Sequence, residues 1–395
     1  KAITICKENN YISNRHLKVL QFPVNYVIEN FYDIFTYSAT SLAHCEIAHY
    51  NAGEEATTRK VVCFMKRLYI ITGANGHLGN TIISLLPNTA CEIRGLILPQ
   101  ETCIDHDNVH YIKGDVCDMD SLEPLFSNIE DKEVYVIHTA GIINIQPHVS
   151  PKLYQVNVNG TKNMLELSKR YHVKRFLYTS SVHAIPEKNN LTLIKEINHF
   201  SQSSVEGGYA KTKAEASQAV LEASNNGLCT MIVHPSGILG PNGNSSNHLV
   251  QMVVDYIQGK LPACVNGGYD FVDVRDVANG CLLALEKGSC GNCYILSNRY
   301  YEIKDVLAMA HQITGRRKLP VLPLWLAKAA SPIMCKYAKI RHQRPLYTPY
   351  TLSTLQSNSR FSHDKATKEL GYYPRDLYDT IKDTIDWYYN HLNKH

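Results

Sequence analysis

Short apolar runs alternate with longer amphipathic segments from residue 67 onward. Six of the runs have the length of β-strands: Leu68–Thr72, Glu92–Leu98, Val109–Lys113, Tyr135–Thr139, Arg175–Thr179 and Thr230–His234. Between most of them lie segments of helical character, namely Asn80–Leu86, Ser121–Phe126, Lys152–Tyr171 and Tyr209–Ala223. Nearly continuous apolar strands that alternate with helices are typical of a parallel sheet with helices on both faces. The pattern therefore predicts an α/β fold with a doubly wound parallel sheet.

The pattern loosens after His234, where glycine, proline and polar residues become frequent. A loop at Gly240–Asn247 precedes a helix near His248–Gln258, and Phe271–Glu286 returns to a strand followed by a helix. Further on, Leu322–Ile340 has the spacing of an amphipathic helix with interspersed lysines. We predict three parts: an N-terminal extension (1–64), a sheet domain (65–234, with 271–296 returning to it) and a smaller C-terminal substrate-binding lobe (235–270 and 297–395).

The first 64 residues differ from the rest of the chain. They are rich in tyrosine, asparagine, histidine and cysteine, and they show no sustained helical periodicity. Met65 stands directly before Lys66 and the first clear strand. Our hypothesis is that Met65 is the natural start and that residues 1–64 are an appended or upstream-translated segment. The alternative is a short extension packed loosely on the core.

Composition and charge narrow the class of protein. An apolar fraction of 44% and a charged fraction of 19% are those of a soluble globular chain of 395 residues. The net charge is +4, and we interpret the positive residues as scattered, which gives no reason to expect nucleic acid or an anionic membrane as partner. No apolar run reaches the roughly 18–20 residues of a membrane span. We therefore expect a cytoplasmic location.

The twelve cysteines have irregular spacings, and Cys290 and Cys293 form the one tight pair. A lone Cys-x-x-Cys pair without histidine partners is weak evidence for zinc. The sequence thus predicts free thiols and no metal.

A glycine-rich turn follows the first strand, at Thr72–Gly79, and opens a helix. Its spacing is GxxxGxxG, as opposed to the GxGxxG of many dehydrogenases. Glycines allow the backbone to approach a pyrophosphate closely, and a helix N-terminus offers N–H groups to the anion. The turn therefore predicts a dinucleotide site in a Rossmann-type sheet.

The residue that binds the adenosine ribose should follow the second strand. An acidic side chain there favours NAD, and a basic one accommodates the 2′-phosphate of NADP. The chain has Leu98-Pro99-Gln100 there, with Arg94 inside the strand and Glu101 just beyond it. NAD and NADP both stay open. Asp115 ends the third strand, where its carboxylate can accept a hydrogen bond from the adenine amino group.

A tyrosine four residues before a lysine provides an acid/base pair, because residues i and i+4 share one face of a helix. The ammonium stabilises the phenolate and lowers a tyrosine pKa from its usual value of about 10. Tyr209 and Lys213 have this spacing and follow a strand that ends in Thr179-Ser180-Ser181. Three further pairs share the spacing but lie in the outer lobe: Tyr256/Lys260, Tyr300/Lys304 and Tyr378/Lys382.

The motifs occur in a fixed order: TGxxGxxG, Gly114-Asp115, His138-Thr139-Ala140-Gly141, Asn157-Val158-Asn159-Gly160-Thr161, Thr179-Ser180-Ser181, Tyr209-x-x-x-Lys213, His234-Pro235-Ser236-Gly237, Phe271–Val277 and Glu369–Pro374. This set resembles the extended short-chain dehydrogenase/reductase family, also called the NAD-dependent epimerase/dehydratase family. The likeness covers about residues 66–390 and leaves out residues 1–64.

The resemblance implies an enzyme that uses NAD or NADP, with Tyr209 as general acid/base and Lys213 as its electrostatic partner and ribose ligand. It implies Ser181, favoured over the adjacent Ser180, as donor to the substrate oxygen, and Asn157 as a structural and proton-relay residue. His183 either faces the substrate or packs in the loop. The implied cofactor-binding residues are Gly73, Asn75, Gly76, His77, Leu78, Gly79, Asp115, Val116, Thr139, Ala140, Gly141, Tyr209, Lys213, Pro235, Ser236 and Gly237.

Three functions remain open. Epimerases commonly carry an asparagine near Ser236–Gly237, whereas the run HPSGILGP is closer to the dihydroflavonol-reductase and 3β-hydroxysteroid-dehydrogenase branch. We therefore favour an oxidoreductase that acts on the carbonyl or secondary alcohol of a small apolar substrate. The alternatives are a nucleotide-sugar epimerase or dehydratase that retains NAD, and a catalytically silent NAD(P)-binding regulator. We expect a small-molecule substrate and no membrane span, and we leave a homodimer open.

Overall fold

The computed structural model describes residues 66–332 and 359–392, Leu355, and three short strands before residue 66. Gaps within these ranges fall at 88–90, 105, 107, 145–146, 188–191, 244–246 and 330. The chain divides into two compact units, one of residues 1–66 with 130–133 and one of residues 67–129 with 134–395. In the first unit, Ile3–Thr4, Ala43–Ala48 and Thr58–Cys63 pair as antiparallel strands. The hypothesis about Met65 lies outside the described residues.

The strands from residue 66 onward are β1 Lys66–Thr72, β2 Cys91–Ile97, β3 Val109–Lys113, β4 Lys132–His138, β5 Arg175–Thr179, β6 Thr230–Pro235, β7 Gly237–Leu239, β8 Cys264–Val265, β9 Gly268–Asp273, β10 Asn292–Leu296, β11 Arg299–Glu302 and β12 Val321–Leu322. The helices are α1 His77–Leu85, α2 Met119–Leu122, α3 Pro151–Tyr154, α4 Gly160–Arg170, α5 Gly208–Asn225, α6 His248–Ile257, α7 Val274–Lys287, α8 Ile303–Thr314, α9 Asp364–Leu370 and α10 Leu377–Leu392. A π-helical turn, Gln155–Asn159, joins α3 to α4.

The central sheet has seven strands in the order β10-β6-β5-β4-β1-β2-β3. Neighbours pair in parallel, for example Ile70 beside Arg94 and Leu177 beside Met231. The predicted fold class, a doubly wound parallel sheet, is thereby confirmed. The strand order reverses between β1 and β4, and ligands bind in the crevice that opens at such a reversal.

Both faces of the sheet are covered because its strands are apolar on both sides. Leu68 and Ile70 of β1 join one core, in which α4 and α5 supply buried side chains such as Leu167. The intervening Ile71 joins the other core, in which α1 and α7 supply side chains such as Ile82. The alternation of side chains along a strand thus places successive β1 residues in different cores. This explains the unbroken apolar runs in the sequence.

The C-terminal lobe has its own small sheet, in which β9 pairs in parallel with β7 and antiparallel with β11. Its core lies among α6, α8 and α10, with Val253, Val306 and Ile381 completely buried. Asp273, at the end of β9, accepts a hydrogen bond from the backbone N–H of Arg275 and so caps α7. The Arg275 guanidinium bridges Asp273 and Asp383 at 2.7 Å each, which ties α7 to α10.

The predicted helix Leu322–Ile340 differs in the structure. Val321–Leu322 is a short strand that pairs in parallel with Cys264–Val265, and helical backbone follows at 324–329 and 331–332. Residues 333–340 lie outside the described part of the chain. Among the described helices, none combines the length and the apolar character needed to cross a membrane.

One cysteine pair corrects the expectation of free thiols. Cys229 and Cys290 form a disulfide, with Cα atoms 4.8 Å apart. The sheet explains the pairing, because Met231 of β6 lies beside Asn292 of β10, so the residues that precede these two strands also lie side by side. Cys293 of the Cys-x-x-Cys pair is a free, buried thiol.

A pair of substitutions on α1 tests this packing. Ile82 is fully buried between α1 and the sheet, whereas Leu85 on the same helix is 45% exposed. We expect Ile82→Ala to lower the free energy of unfolding by about 2–5 kcal/mol, since it leaves a cavity in the core. Leu85→Ala, the matched control, should cost less than about 1 kcal/mol. Urea unfolding followed by circular dichroism measures both, and equal losses would contradict the assigned orientation of α1.

Candidate active site

A cavity of about 770 Å³ lies beyond the carboxyl ends of the central strands. Its wall comes from the loops that follow β1 to β6 and from the helices α5 and α6. All residues predicted for the site except Asn75 and Asn157 contribute to this wall: Gly73, Gly76, His77, Leu78, Gly79, Asp115, Val116, Thr139, Ala140, Gly141, Ser181, Tyr209, Lys213, Pro235, Ser236 and Gly237.

The glycine-rich turn brings β1 and β4 into close backbone contact. A Cβ atom on Gly73 would lie only 3.0 Å from the backbone nitrogen of Ala140, and Gly73 has a φ of +69°. A Cβ atom on Gly79 would lie 2.2 Å from the Gly73 carbonyl oxygen. No side chain caps α1 at Gly76, so the first N–H groups of the helix remain available to a ligand. The turn therefore fits the pyrophosphate of a dinucleotide.

His77, at the start of α1, holds the C-terminal lobe against this turn. Its Nε2–H donates to the Pro241 carbonyl oxygen at 2.8 Å, and its Nδ1 accepts from the Asn247 side-chain amide at 2.9 Å. Burial lowers the pKa of His77 below its usual value. Both ring nitrogens are therefore committed to protein partners, and His77 offers a ligand its backbone and ring carbons.

Among the described residues, the far end of the cavity, where β2 ends, contains an acid and no arginine. Glu101 lies in the wall and accepts a hydrogen bond from the Leu98 N–H at 3.1 Å. Arg94 is buried, and its guanidinium donates to Glu92 and to the Leu125 carbonyl oxygen. The side chain of Asn75 lies outside the wall, with its amide donating to the carbonyl oxygen of residue 102.

A buried chain of hydrogen bonds connects the sheet to α4. The Thr72 hydroxyl accepts from the Ala140 N–H and donates to Nδ1 of His138 at 2.7 Å. On the other side of the ring, Nε2–H donates to the Thr161 hydroxyl at 3.0 Å, and that hydroxyl donates to the Asn157 carbonyl oxygen. Burial lowers the pKa of His138 to about 3, so the ring stays neutral and keeps one tautomer.

Asn157 lies in the π-helical turn, directly behind the cavity wall. Its side-chain oxygen accepts from the Ile142 N–H at 2.8 Å, and its amide donates to the Ile142 carbonyl oxygen and to the Thr212 hydroxyl. Thr212 in turn donates to the Tyr209 carbonyl oxygen at 2.9 Å. Asn157 thus fixes the loop after β4 relative to the start of α5. Isolated π-turns are frequent at functional sites.

Lys213 is almost completely buried beside the end of β5. Its Nζ donates to the Thr179 carbonyl oxygen at 2.7 Å and lies 4.7 Å from the centre of the Tyr178 ring. Burial lowers the pKa of Lys213 to about 7. A Cβ atom on Gly141 would approach Nζ to 3.4 Å, so the ammonium lies at the cavity surface where glycine leaves it uncovered.

The two adjacent serines at the end of β5 differ in their partners. The Ser217 hydroxyl donates to the Lys213 carbonyl oxygen, so in its 2.7 Å contact with Ser180 it is the acceptor. The proton of Ser180 is therefore committed to Ser217. The Ser181 hydroxyl oxygen accepts a 3.3 Å hydrogen bond from the His183 N–H, which leaves its proton for the cavity. This arrangement supports Ser181 as the donor.

An aromatic group stands beside Tyr209. The His183 ring meets the Tyr209 ring edge-on at 6.2 Å and stacks on the Tyr269 ring at 5.7 Å. The Tyr269 hydroxyl and Nε2 of His183 are 2.9 Å apart and share a hydrogen bond. Burial lowers the pKa of His183 to about 4, so the ring is neutral. His183 lies in the cavity wall, as do both tyrosines.

Tyr269 covers the backbone of Gly237. A Cβ atom on Gly237 would lie 2.8 Å from Cδ1 of Tyr269 and 2.9 Å from the Asp270 carbonyl oxygen. Any larger side chain at this position would displace the tyrosine ring. The space that a side chain at position 237 would take is therefore filled by Tyr269, the Asp270 carbonyl oxygen and Leu249.

Ser236 presents oxygen lone pairs to the cavity. Its hydroxyl donates to Asp270 at 2.5 Å, and the same carboxylate oxygen accepts from the Asn298 N–H at 3.0 Å. Burial raises the pKa of Asp270 to about 7. With its proton committed to Asp270, Ser236 acts toward a ligand as an acceptor.

Sequence reasoning did not assign roles to Tyr269, Asp270 or Tyr178. They lie on buried strands where apolar neighbours conceal their chemistry, and only the folded arrangement places them at the site. His138 stood within a motif, but its role as a link between two threonines depends on distances between strands. The described residues contain no cluster of three or more histidine, cysteine or carboxylate side chains suited to a metal ion.

The chain is similar along most of its length to several known proteins. The chain is 28% identical over 328 residues to sterol demethylase protein B of Methylococcus capsulatus, covering 81% of this chain and 97% of that protein. It is 26% identical to the decarboxylating sterol-4-alpha-carboxylate 3-dehydrogenase of Candida albicans, covering 80% and 96%. The crystal structure of gox2253 superposes with a TM-score of 0.68 at 30% identity, covering 82% and 99%.

A family model described as the NAD dependent epimerase/dehydratase family matches residues 69–296. This segment contains the glycine-rich turn, Ser181, Tyr209 and Lys213, and it makes up more than half of the chain. The match confirms the family resemblance and the predicted cofactor class, NAD or NADP. The chain therefore belongs to the NAD dependent epimerase/dehydratase family.

Proposed function

We propose that this protein is an NAD-dependent oxidoreductase that interconverts a secondary alcohol and a ketone on an apolar, ring-containing substrate. The observation that carries the proposal is the joint placement of Ser181, Tyr209 and Lys213 in one cavity with the glycine cradle. A bound nicotinamide would supply or accept the hydride in this reaction. The chain itself has to bind the substrate oxygen and handle its proton.

Tyr209 holds the proton that moves to or from the substrate oxygen. A tyrosine is a poor acid/base at neutral pH, so a neighbouring positive charge has to favour its phenolate. Lys213 lies one helical turn away, and burial against Tyr178 keeps water from screening its charge. Ser181 donates its free proton to the substrate oxygen, which fixes the reacting carbon opposite Tyr209.

The outer half of the cavity supports an apolar substrate. Apolar side chains from α6, the loop after it, β9 and α8 line much of it, and α6 also contributes the polar side chains of Gln251 and Asp255; the apolar ones include Leu249, Met252, Leu261, Phe271 and Ile303. Two similar proteins carry sterol names, the sterol demethylase protein B and the sterol-4-alpha-carboxylate 3-dehydrogenase. A flat polycyclic alcohol is the substrate class that fits both observations.

The position of Gly237 favours net oxidation or reduction over epimerisation. Nucleotide-sugar enzymes of the family commonly carry asparagine near this position, and here Tyr269 fills the corresponding space. The stacked rings of Tyr269 and His183 offer a flat face next to Tyr209. A ring-shaped apolar substrate gains contact area on that face, whereas a sugar would leave its hydroxyl groups unpaired.

The ribose end of the cavity favours NAD. Glu101 lies in the wall and can accept hydrogen bonds from ribose hydroxyls, while it repels the 2′-phosphate of NADP. The guanidinium of Arg94 is held by Glu92 and the Leu125 carbonyl oxygen. It is therefore unavailable to bind that phosphate.

An assay with both cofactors tests the proposal directly. Purified protein is incubated with NAD or NADP and a panel of 3-hydroxysteroids, with UDP-sugars in parallel. We expect absorbance of reduced cofactor to appear with the steroids and NAD. Interconversion of sugars without net reduction would assign the protein to the epimerases instead.

Replacing Tyr209 with phenylalanine removes the proposed acid/base and keeps the ring. We expect Tyr209→Phe to lower kcat by at least about 100-fold, the usual contribution of a positioned acid/base, and to leave NADH binding unchanged. Tyr378→Phe is the matched control, because Tyr378 and Lys382 share the spacing but Tyr378 is exposed on α10. Steady-state kinetics and NADH fluorescence measure the two effects. Full activity of Tyr209→Phe would refute the proposed role.

Introducing an asparagine at Gly237 tests the shape of the substrate site. The new side chain collides with Tyr269, so we expect Gly237→Asn to lower kcat/KM for the steroid alcohol by about tenfold or more. Tyr269→Ala in the same chain removes the ring from the collision, but it keeps the approach to the Asp270 carbonyl oxygen and loses the aromatic face, so it should not restore kcat/KM. An asparagine variant with unchanged kcat/KM would show that the substrate does not touch this face.

The buried charge of Lys213 predicts how stability depends on pH without cofactor. Its pKa is about 7 in the folded protein and has the usual value near 10.4 when unfolded. Between these values the unfolded chain binds the extra proton, so the contribution of Lys213 to folding stability increases with pH. We expect the urea midpoint of the wild type, relative to Lys213→Met, to rise from pH 7 to about pH 9.5. A constant difference would contradict the lowered pKa.

A further inference from the structure

One surface of the C-terminal lobe combines exposed apolar side chains with basic ones. We call it the Trp325 surface and define it by the exposed residues Arg316, Arg317, Lys318, Val321, Trp325, Leu326 and Lys328. Trp325 is 71% exposed, Val321 42% and Leu326 40%. Exposed tryptophan next to lysine and arginine is typical of protein segments that lie in a membrane interface.

Rigid elements hold this surface in place. The Tyr256 hydroxyl of α6 contacts the carbonyl oxygens of Arg316 and Arg317 at 3.2 Å each, which fixes the basic residues against the lobe. After them, β12 pairs with β8. The following helical residues turn Leu324 and Ala327 inward onto Val265. Trp325 and Leu326 are thus left on the outer face by the packing of their neighbours.

The charge along the stretch of sequence that contains the Trp325 surface is one-sided. Between Asp305 and Asp364 the sequence has nine lysines and arginines and no aspartate or glutamate. The net charge of the whole chain is only +4, so the remainder carries a net charge of −5. The interpretation of the positive residues as scattered is therefore wrong for this segment. Such a bias attracts an anionic surface, with roughly a fivefold gain in binding for each basic residue close to it.

We propose that the Trp325 surface docks the protein on the surface of an anionic lipid bilayer. Trp325, Val321 and Leu326 enter the interface between headgroups and acyl chains, and the basic residues contact the lipid phosphates. The charge complementarity distinguishes a bilayer from a second copy of the chain, because two copies of this surface would repel each other. None of the helices in the described part of the chain spans the membrane in this arrangement, and the binding is peripheral and reversible.

The docked orientation has a consequence for the cavity. Leu355 packs against the cluster of Val265 and Ala327 beneath the Trp325 surface, and it also lines the cavity. Leu355 thus contacts both this cluster and the cavity. If the proposed function holds, an apolar substrate dissolved in the bilayer would be held near the cavity. The docking itself does not depend on that function.

Tryptophan fluorescence provides a direct test, because the chain has only two tryptophans and Trp387 lies partly buried in the lobe core. In a Trp387→Phe background, emission reports on Trp325 alone. We expect it to shift to the blue on vesicles of phosphatidylcholine with phosphatidylglycerol. On phosphatidylcholine alone, or at about 1 M salt where the Debye length is about 3 Å, the shift should be largely lost.

Flotation of the full chain with the same vesicles measures the partition coefficient. Replacing Arg316, Arg317 and Lys318 by serine should lower it at least about tenfold, and Trp325→Ala should lower it several-fold. As matched controls, we use serine at three exposed lysines elsewhere, Lys169, Lys368 and Lys382, and Tyr373→Ala, which removes an aromatic that is 74% exposed. The controls should bind like the wild type.

Three results would overturn the proposal. The first is the absence of a blue shift on anionic vesicles. The second is a loss of vesicle binding in the lysine control that equals the loss in the variant with serine at Arg316, Arg317 and Lys318. The third is a blue shift that depends on protein concentration without vesicles, which would assign the surface to self-association. Turnover of a water-soluble substrate should be the same in all these variants, so a failed enzyme assay and a failed docking assay remain distinguishable.

Discussion

The close approach of two backbones at the reversal of the sheet is the constraint on which the site depends. Gly73 after β1 touches Ala140 after β4, and a single additional carbon on Gly73 would fill the gap. Every other part of the site is arranged around this contact. The Thr72 hydroxyl binds the Ala140 N–H, and His138 continues the hydrogen bonds to Thr161 and the π-turn. The cradle and the catalytic side therefore share one buried network.

That network also explains why a charged lysine can stay at the site. Asn157 links the loop after β4 to Thr212, one residue before Lys213, and Thr179 accepts the Lys213 ammonium at the end of β5. Desolvation disfavours the ammonium and lowers its pKa to about 7. In its charged form this ammonium favours a neighbouring phenolate. The Thr179 carbonyl oxygen and the Tyr178 ring offset part of the cost of burying it.

The sequence predicted the parts of the fold that depend on local pattern. Strands β1 to β6 appear within three residues of their expected bounds, because strands buried on both faces must be apolar throughout. The glycine-rich turn and the Tyr209/Lys213 pair were found because their chemistry requires a fixed spacing. Contacts between distant segments were not found: the disulfide Cys229–Cys290 depends on the pairing of β6 with β10, and the stack of Tyr269 on His183 joins residues far apart in sequence.

The contrast between local pattern and contacts of distant segments also applies to the proposed function: the proposed hydride chemistry depends on short motifs, whereas the choice of substrate depends on how distant segments pack. Ser181 follows a strand of the central sheet, and Tyr209 and Lys213 lie on the helix Gly208–Asn225, so under the proposed function these three do not discriminate between a sugar and a sterol. Tyr269 and Phe271 come from β9, whose partners β7 and β11 lie in the small sheet of the lobe. A change in that sheet can reshape the substrate site while the network from Thr72 to Lys213 stays intact. Glycine at position 237 leaves room for the Tyr269 ring, and this contact does not involve Ser181, Tyr209 or Lys213.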